Sequence, residues 1–148
     1  MKRVILLSVG FPFGNHEPFL RGELKYHKQL TLASAYIGDE RRAKNNMPDD
    51  INITLWHYSS PFFRGNKAAR VLSAVGAFFT PDFWRELHSE DIAPVQPHKV
   101  LTLLSFISKA NEIVSFVSNE IEKANYKNDE LIFYSYWMDH LALAAVKL

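Results

Sequence analysis

Two short segments carry the residue types from which a site for a hydroxylated ligand could be built. The first is Gly10-Phe11-Pro12-Phe13-Gly14-Asn15-His16-Glu17-Pro18-Phe19. Gly10 and Gly14 let backbone N–H groups approach a phosphate or a sugar, and would equally serve a tight turn that needs a positive φ. Glu17 can accept from a ligand hydroxyl, bond the loop's own backbone, or complement the positive end of a helix. The second segment is Tyr134-Ser135-Tyr136-Trp137, followed closely by His140. Its rings offer faces on which a sugar can stack and hydroxyls that can bind it, although the same rings could serve packing alone. His140 is the histidine best placed for a base or a ligand contact, because it lies three residues into a helix that begins at the cleft side. His16 has a comparable place in the first loop. The candidate binding residues are thus Gly10, Phe11, Pro12, Gly14, His16, Glu17, Tyr136 and Trp137, and the candidate catalytic residue is His140. Glu23 lies six residues beyond Glu17, and at 100° per residue a helix turns it off that face, so the two carboxylates do not form an obvious acid/base pair.

Composition excludes several other chemistries. The chain has no cysteine and its six histidines are scattered, which removes the familiar zinc frameworks and any thiol nucleophile, and no metal site is expected. Neither G-x-G-x-x-G nor G-x-x-x-x-G-K-[ST] occurs, and there is no G-x-S-x-G elbow. With 17 basic and 16 acidic residues the net charge is only +1, and the aromatic residues are not interleaved with a basic stripe. Nucleic acid is therefore not an expected partner. At 148 residues the chain has the length of one domain, able to bury about 68–70% of its unfolded surface.

The elements that must position these segments alternate between strands and helices. Val4-Ile5-Leu6-Leu7-Ser8-Val9 is a short apolar run suited to a strand buried on both faces. Lys2 and Arg3 precede it, but the run is short and lacks a small-residue cleavage site. It is expected to be the first strand of a cytoplasmic protein and not a secretory signal. A helix is expected over 18–28, with Phe19, Leu20 and Leu24 toward the sheet, then a strand over 30–37. Ile51 to Tyr58 alternates with period two and is expected nearer a sheet edge. Helices are expected over 66–79 and 98–125, with a short helical turn from Pro81. A buried strand is expected over 130–135, and a last helix from Met138 to Leu148. No apolar stretch is expected to approach the roughly 20 residues that cross a bilayer. The segment from Pro61 to Thr80 mixes apolar and basic residues. It could rest on an anionic membrane, but a helix whose apolar stripe covers the sheet is the favoured expectation. The whole order predicts an α/β fold, a Rossmann-like three-layer sandwich with a mostly parallel sheet.

Together the two segments resemble the N-terminal, acceptor-side domain of family 4 glycosyltransferases of the GT-B type. Bacterial members that build surface polysaccharides open with F-P-x-G-x-x-E-x-F and a further Glu on the first helix. Here Phe11, Pro12, Gly14, Glu17, Phe19 and Glu23 match, and Tyr134-Ser135-Tyr136-Trp137 resembles their strand end. The resemblance implies an acceptor wall for a sugar or lipid-linked acceptor, in an enzyme lying in the cytoplasm or peripheral to the inner face of the membrane. It also implies a second domain that holds the nucleotide-sugar donor. Nothing in this sequence matches that donor site, so this chain is expected to bind no cofactor itself. It is expected to be incomplete, ending inside a larger fold and needing a C-terminal domain or partner chain to transfer sugar. The alternative is a non-catalytic Rossmann-like binding or assembly module.

Overall fold

A computed structural model of the chain describes residues 2–13, 17–27, 29–34, 53–58, 67–89, 96–127 and 130–148. Four strands, β1 (Arg3–Ser8), β2 (Leu30–Ser34), β3 (Ile53–His57) and β4 (Leu131–Ser135), form one parallel sheet in the order β3-β2-β1-β4. β1 is central, and its Ile5, Leu6 and Leu7 are buried, as a run without alternation requires. Among the described residues β3 lies at an edge of the sheet, the position expected for it.

The two faces of the sheet are sorted by residue parity. Leu6 of β1 with Leu30 and Leu32 of β2 pack under Leu20 and Leu24, which belong to the short helix α1 (Leu20–Glu23) and the 3-10 turn Leu24–Tyr26 that follows it. That helix is much shorter than the expected span of 18–28. Ile5 and Leu7 face the other way, toward Ala110, Ile113 and Val117 of a 27-residue helix and toward Leu141 and Ala144 of the last one. With α2 (Lys67–Phe78) and α3 (Pro81–Ser89) preceding them, these are α4 (Pro97–Lys123) and α5 (His140–Lys147). Helices on both sides of a parallel sheet make the three layers of a Rossmann-like α/β fold.

Three expectations change. β4 is an edge strand and not a fully buried one: Leu131 and Phe133 pack into the core, whereas Ile132 and Tyr134 point outward at 42% and 40% exposure. α2 does not cover the sheet but lies on α4, with Val71, Leu72, Val75 and Phe79 exposed. Finally, α4 is long and apolar enough by length and composition to cross a bilayer, with a mean hydropathy of 1.5 over its best 18-residue window. Its Ile107, Ala110, Ile113, Val117 and Ile121 form one buried face, most of it over the sheet, while 28% of that window is buried in all.

Candidate functional site

In this strand order the connections leaving β1 and β4 run to opposite faces of the sheet. The β1 loop leads to α1 on one face, and the β4 loop leads to α5 on the other. The chain therefore has a topological switch point at the C-terminal ends of β1 and β4, where diverging loops leave a crevice in open parallel sheets. Both segments singled out in the sequence meet there, since β1 and β4 are hydrogen-bonded neighbours with Leu7 opposite Ser135.

The β1 loop is held by its own side chains. Ser8, fully buried at the end of β1, accepts from the N–H groups of Phe11 at 2.8 Å and Gly10 at 3.3 Å, and its hydroxyl donates to the Glu17 carboxylate. The same carboxylate oxygen accepts from the Phe11 N–H at 3.3 Å, and the Phe13 N–H donates to the Gly10 carbonyl at 2.8 Å. Of the three roles open to Glu17 in the sequence, the structure shows the bond to the loop's own backbone. Its backbone is left-handed, with φ at 54°, a conformation that the side-chain bonds across the loop hold in place. Gly10, Phe11 and Pro12 are buried, Phe11 being packed with Leu20 and Leu24 beneath the loop. The Phe11 side chain thus supports the loop from below. Gly14 and His16 lie outside the described residues.

Beyond Glu17 the chain delivers Phe19 to the second segment. The Phe19 ring lies 4.3 Å from that of Tyr136 and 5.9 Å edge-on from that of Trp137, with Tyr136 and Trp137 5.5 Å apart. Tyr134 adds a fourth ring, 6.4 Å from Tyr136. The Ser135 hydroxyl donates to the Trp137 carbonyl at 2.8 Å, which fixes the bend that carries the rings off the end of β4. All four rings are between 36% and 51% exposed, so the cluster is a wall with open faces and not a core. The Tyr134 phenol is pushed above its usual value by burial first, then by the Glu23 carboxylate and by Tyr136. The charge of Glu23, which the sequence separates from Glu17, is thus felt at Tyr134. Aromatic faces flanked by phenol hydroxyls and a carboxylate suit a polyhydroxylated ligand, whose C–H faces stack while its hydroxyls hydrogen-bond.

His140 takes a different place. It opens α5 behind Asp139, whose side chain accepts from the Leu141 N–H at 2.8 Å as an N-cap. The imidazole turns toward α4, edge-on to Phe106 at 6.3 Å, in a groove shared with Thr102, Ser105 and Lys109. Burial pushes its pKa down, the Asp139 carboxylate pulls it back up, and Lys109 lowers it further. The wall residues and His140 therefore leave β4 in different directions.

A second polar cluster had no counterpart in the sequence reading. Glu112 of α4 accepts from the Tyr58 hydroxyl at 2.8 Å and from the Ser73 hydroxyl at 2.6 Å. These groups line a cavity of about 560 Å³ with Asn111, Ser115 and Asn119. Its members come from β3's exit, α2 and α4, so no local spacing announces them. Among the described residues no group of three or more His, Asp or Glu side chains is arranged to hold a metal ion. Comparison with protein-family models, curated proteins and solved structures finds no match to this chain.

Proposed function

We propose that this chain is the acceptor-side domain of a sugar-nucleotide-dependent glycosyltransferase of bacterial surface polysaccharide synthesis, acting in the cytoplasm. The carrying observation is the contact of Phe19 with Tyr136 and Trp137 at the switch point, which joins the F-P-x-G-x-x-E-x-F loop to the Tyr-Ser-Tyr-Trp strand end. In this reading the Ser8–Glu17 bond stiffens the loop, the four rings stack the acceptor sugar, and Glu23 and the tyrosine hydroxyls orient its hydroxyl groups. Holding the acceptor in one orientation is the contribution such a domain makes to catalysis. In this reading the nucleotide-sugar donor would be held by a C-terminal domain or partner chain.

Chemical-shift mapping with octyl glucoside, octyl galactoside and octyl mannoside below their micellar concentrations tests the reading. Saturable shifts at the Trp137 indole and the Phe19 ring, lost in Trp137→Ala, are expected from at least one glycoside. Shifts absent from the wall, or unaffected by that substitution, would count against an acceptor site.

The open side of β4 favours a second reading, a non-catalytic binding or assembly module. Among the described residues no strand pairs with the outer edge of β4, and Ile132 and Tyr134 face outward beside it. A stable oligomer whose formation covers the wall and abolishes glycoside shifts would favour this reading over the first.

A further inference from the structure

α2 is amphipathic in the inverted sense. Its small residues Ala69, Ser73 and Ala77, spaced four apart, form the less exposed side, and Ser73 bonds to Glu112 of α4. Its large apolar residues look outward, Val71 being 65% exposed, Leu72 74% and Val75 50%, and Phe79 just past its end is 76% exposed. A helix that only covers a core turns such a stripe inward. The patch continues onto α4 through Leu101, itself 66% exposed, and onto α3 through Trp84, whose ring stands 5.0 Å edge-on to that of Phe78. Exposed apolar patches of this kind mark interaction surfaces.

The charges around the patch say what covers it. α2 carries Lys67 and Arg70 and no carboxylate, and α4 carries Lys99 and Lys109 before its first acidic residue, Glu112. The groove between the two helices is lined by Arg70, Val71, Leu101, Leu104 and Lys109, again without a carboxylate. α3 carries two carboxylates, Asp82, engaged by Arg85 and by Lys147, and Glu86. A second copy packed by a twofold axis across α2 would bring a second Lys67 and Arg70 into the same interface with no acid on either α2 to offset them. A surface of anionic lipid headgroups over an apolar layer answers both features, taking the cations at headgroup level and Leu72, Val75, Phe79 and Trp84 beneath them.

We propose that the outward face of α2, with Leu101 and Trp84 at its margins, docks on an anionic lipid bilayer, α2 lying in the plane of the interface. The inference stands on the orientation of α2 and does not require the sugar-transfer reading.

The test is flotation of the full chain with vesicles of phosphatidylglycerol and phosphatidylethanolamine, and with vesicles of phosphatidylcholine alone. Binding to the anionic vesicles is expected, weakened by salt and weaker on phosphatidylcholine. Leu72→Glu with Phe79→Glu replaces two exposed side chains, so the far-ultraviolet circular dichroism should be unchanged while binding falls by more than about tenfold. Lys67→Gln should lower binding to anionic vesicles by about fivefold and leave the weak binding to phosphatidylcholine as it was. Absence of flotation with either vesicle overturns the proposal, as does binding indifferent to the Leu72→Glu and Phe79→Glu pair. Concentration-dependent dimerisation abolished by that pair, without vesicle binding, would assign the face to a second copy instead.

Discussion

The hydroxyl of Ser8 donates to the carboxylate of Glu17, nine residues along, across a loop whose Phe11 N–H is held by both side chains. The pair converts an irregular segment into a fixed one, because a buried hydroxyl and a carboxylate satisfy backbone donors that no strand partner reaches. It also sets the direction in which Phe19 leaves for the aromatic wall.

Breaking this pair should destabilise the fold and not only the site. Ser8→Ala leaves the Gly10 N–H without its acceptor, the Phe11 N–H with only its 3.3 Å bond to Glu17, and the Glu17 carboxylate without its hydroxyl donor, and should cost about 1–3 kcal/mol in urea unfolding. Glu17→Ala loses the carboxylate and keeps a Cβ at φ 54°, so it should be less stable than Glu17→Gly, by up to about 1 kcal/mol. The double variant Ser8→Ala with Glu17→Ala should cost less than the sum of the two single changes, as expected for residues in one network.

His140 gives a pH signature with a definite sign. Burial, aided by Lys109 and opposed by Asp139, holds its folded-state pKa below the ordinary histidine value of about 6.5. Where the folded ring stays neutral the unfolded chain takes up a proton. The contribution of His140 is therefore complete above about pH 6.5 and is lost as pH falls through the lowered value. Nuclear magnetic resonance titration should find a His140 midpoint below 6.5. Asp139→Asn, which keeps an N-cap and removes the charge, should lower it further, and His140→Gln should flatten this part of the stability profile.

The pattern of apolar residues was enough to read the alternation of strands and helices, because a central strand such as Val4 to Leu7 and a long stripe such as Ile107 to Ile121 have different periods. It could not tell which side of a stripe faces inward. In α2 the large residues define the period, yet Ala69, Ser73 and Ala77 make the approach to α4, since small side chains let two helices come close. Likewise Leu131-Ile132-Phe133-Tyr134 has the composition of a buried strand, and only the strand order makes β4 an edge with Ile132 and Tyr134 turned out. At the candidate site, Tyr136 and Trp137 were legible as aromatic residues at a strand end. Their partner Phe19, and the effect of the Glu23 charge at Tyr134, depend on β1 and β4 being neighbours. The direction of His140 was not legible, because it is set by how α5 packs on α4.

Gly76 offers a stabilising change. It lies inside α2, a Cβ added there meets no atom within 4 Å, and its φ is not in the left-handed range. Gly76→Ala should therefore restrict the unfolded chain without strain and raise the unfolding free energy by about 0.4–1 kcal/mol. Thermal unfolding monitored by circular dichroism would show the rise.

The attachment of α2 and α3 to the rest of the molecule converges on Ile107. Its side chain is completely buried, clustered with Ala77 of α2 and Phe83 of α3, with Leu87, Leu103 and Leu143 packed around them. Ile107→Ala opens a cavity where three helices meet and should cost about 2–5 kcal/mol, whereas Ile107→Val should cost about 0.5–1.5 kcal/mol. Ile107 belongs to this satellite cluster and not to the one that holds Ile5 and Leu7 against α4, so the loss should be felt unevenly. Amide exchange in Ile107→Val is expected to quicken in α2 and α3 well before it quickens in β1. Equal acceleration in β1 would mean that the two clusters unfold as one unit.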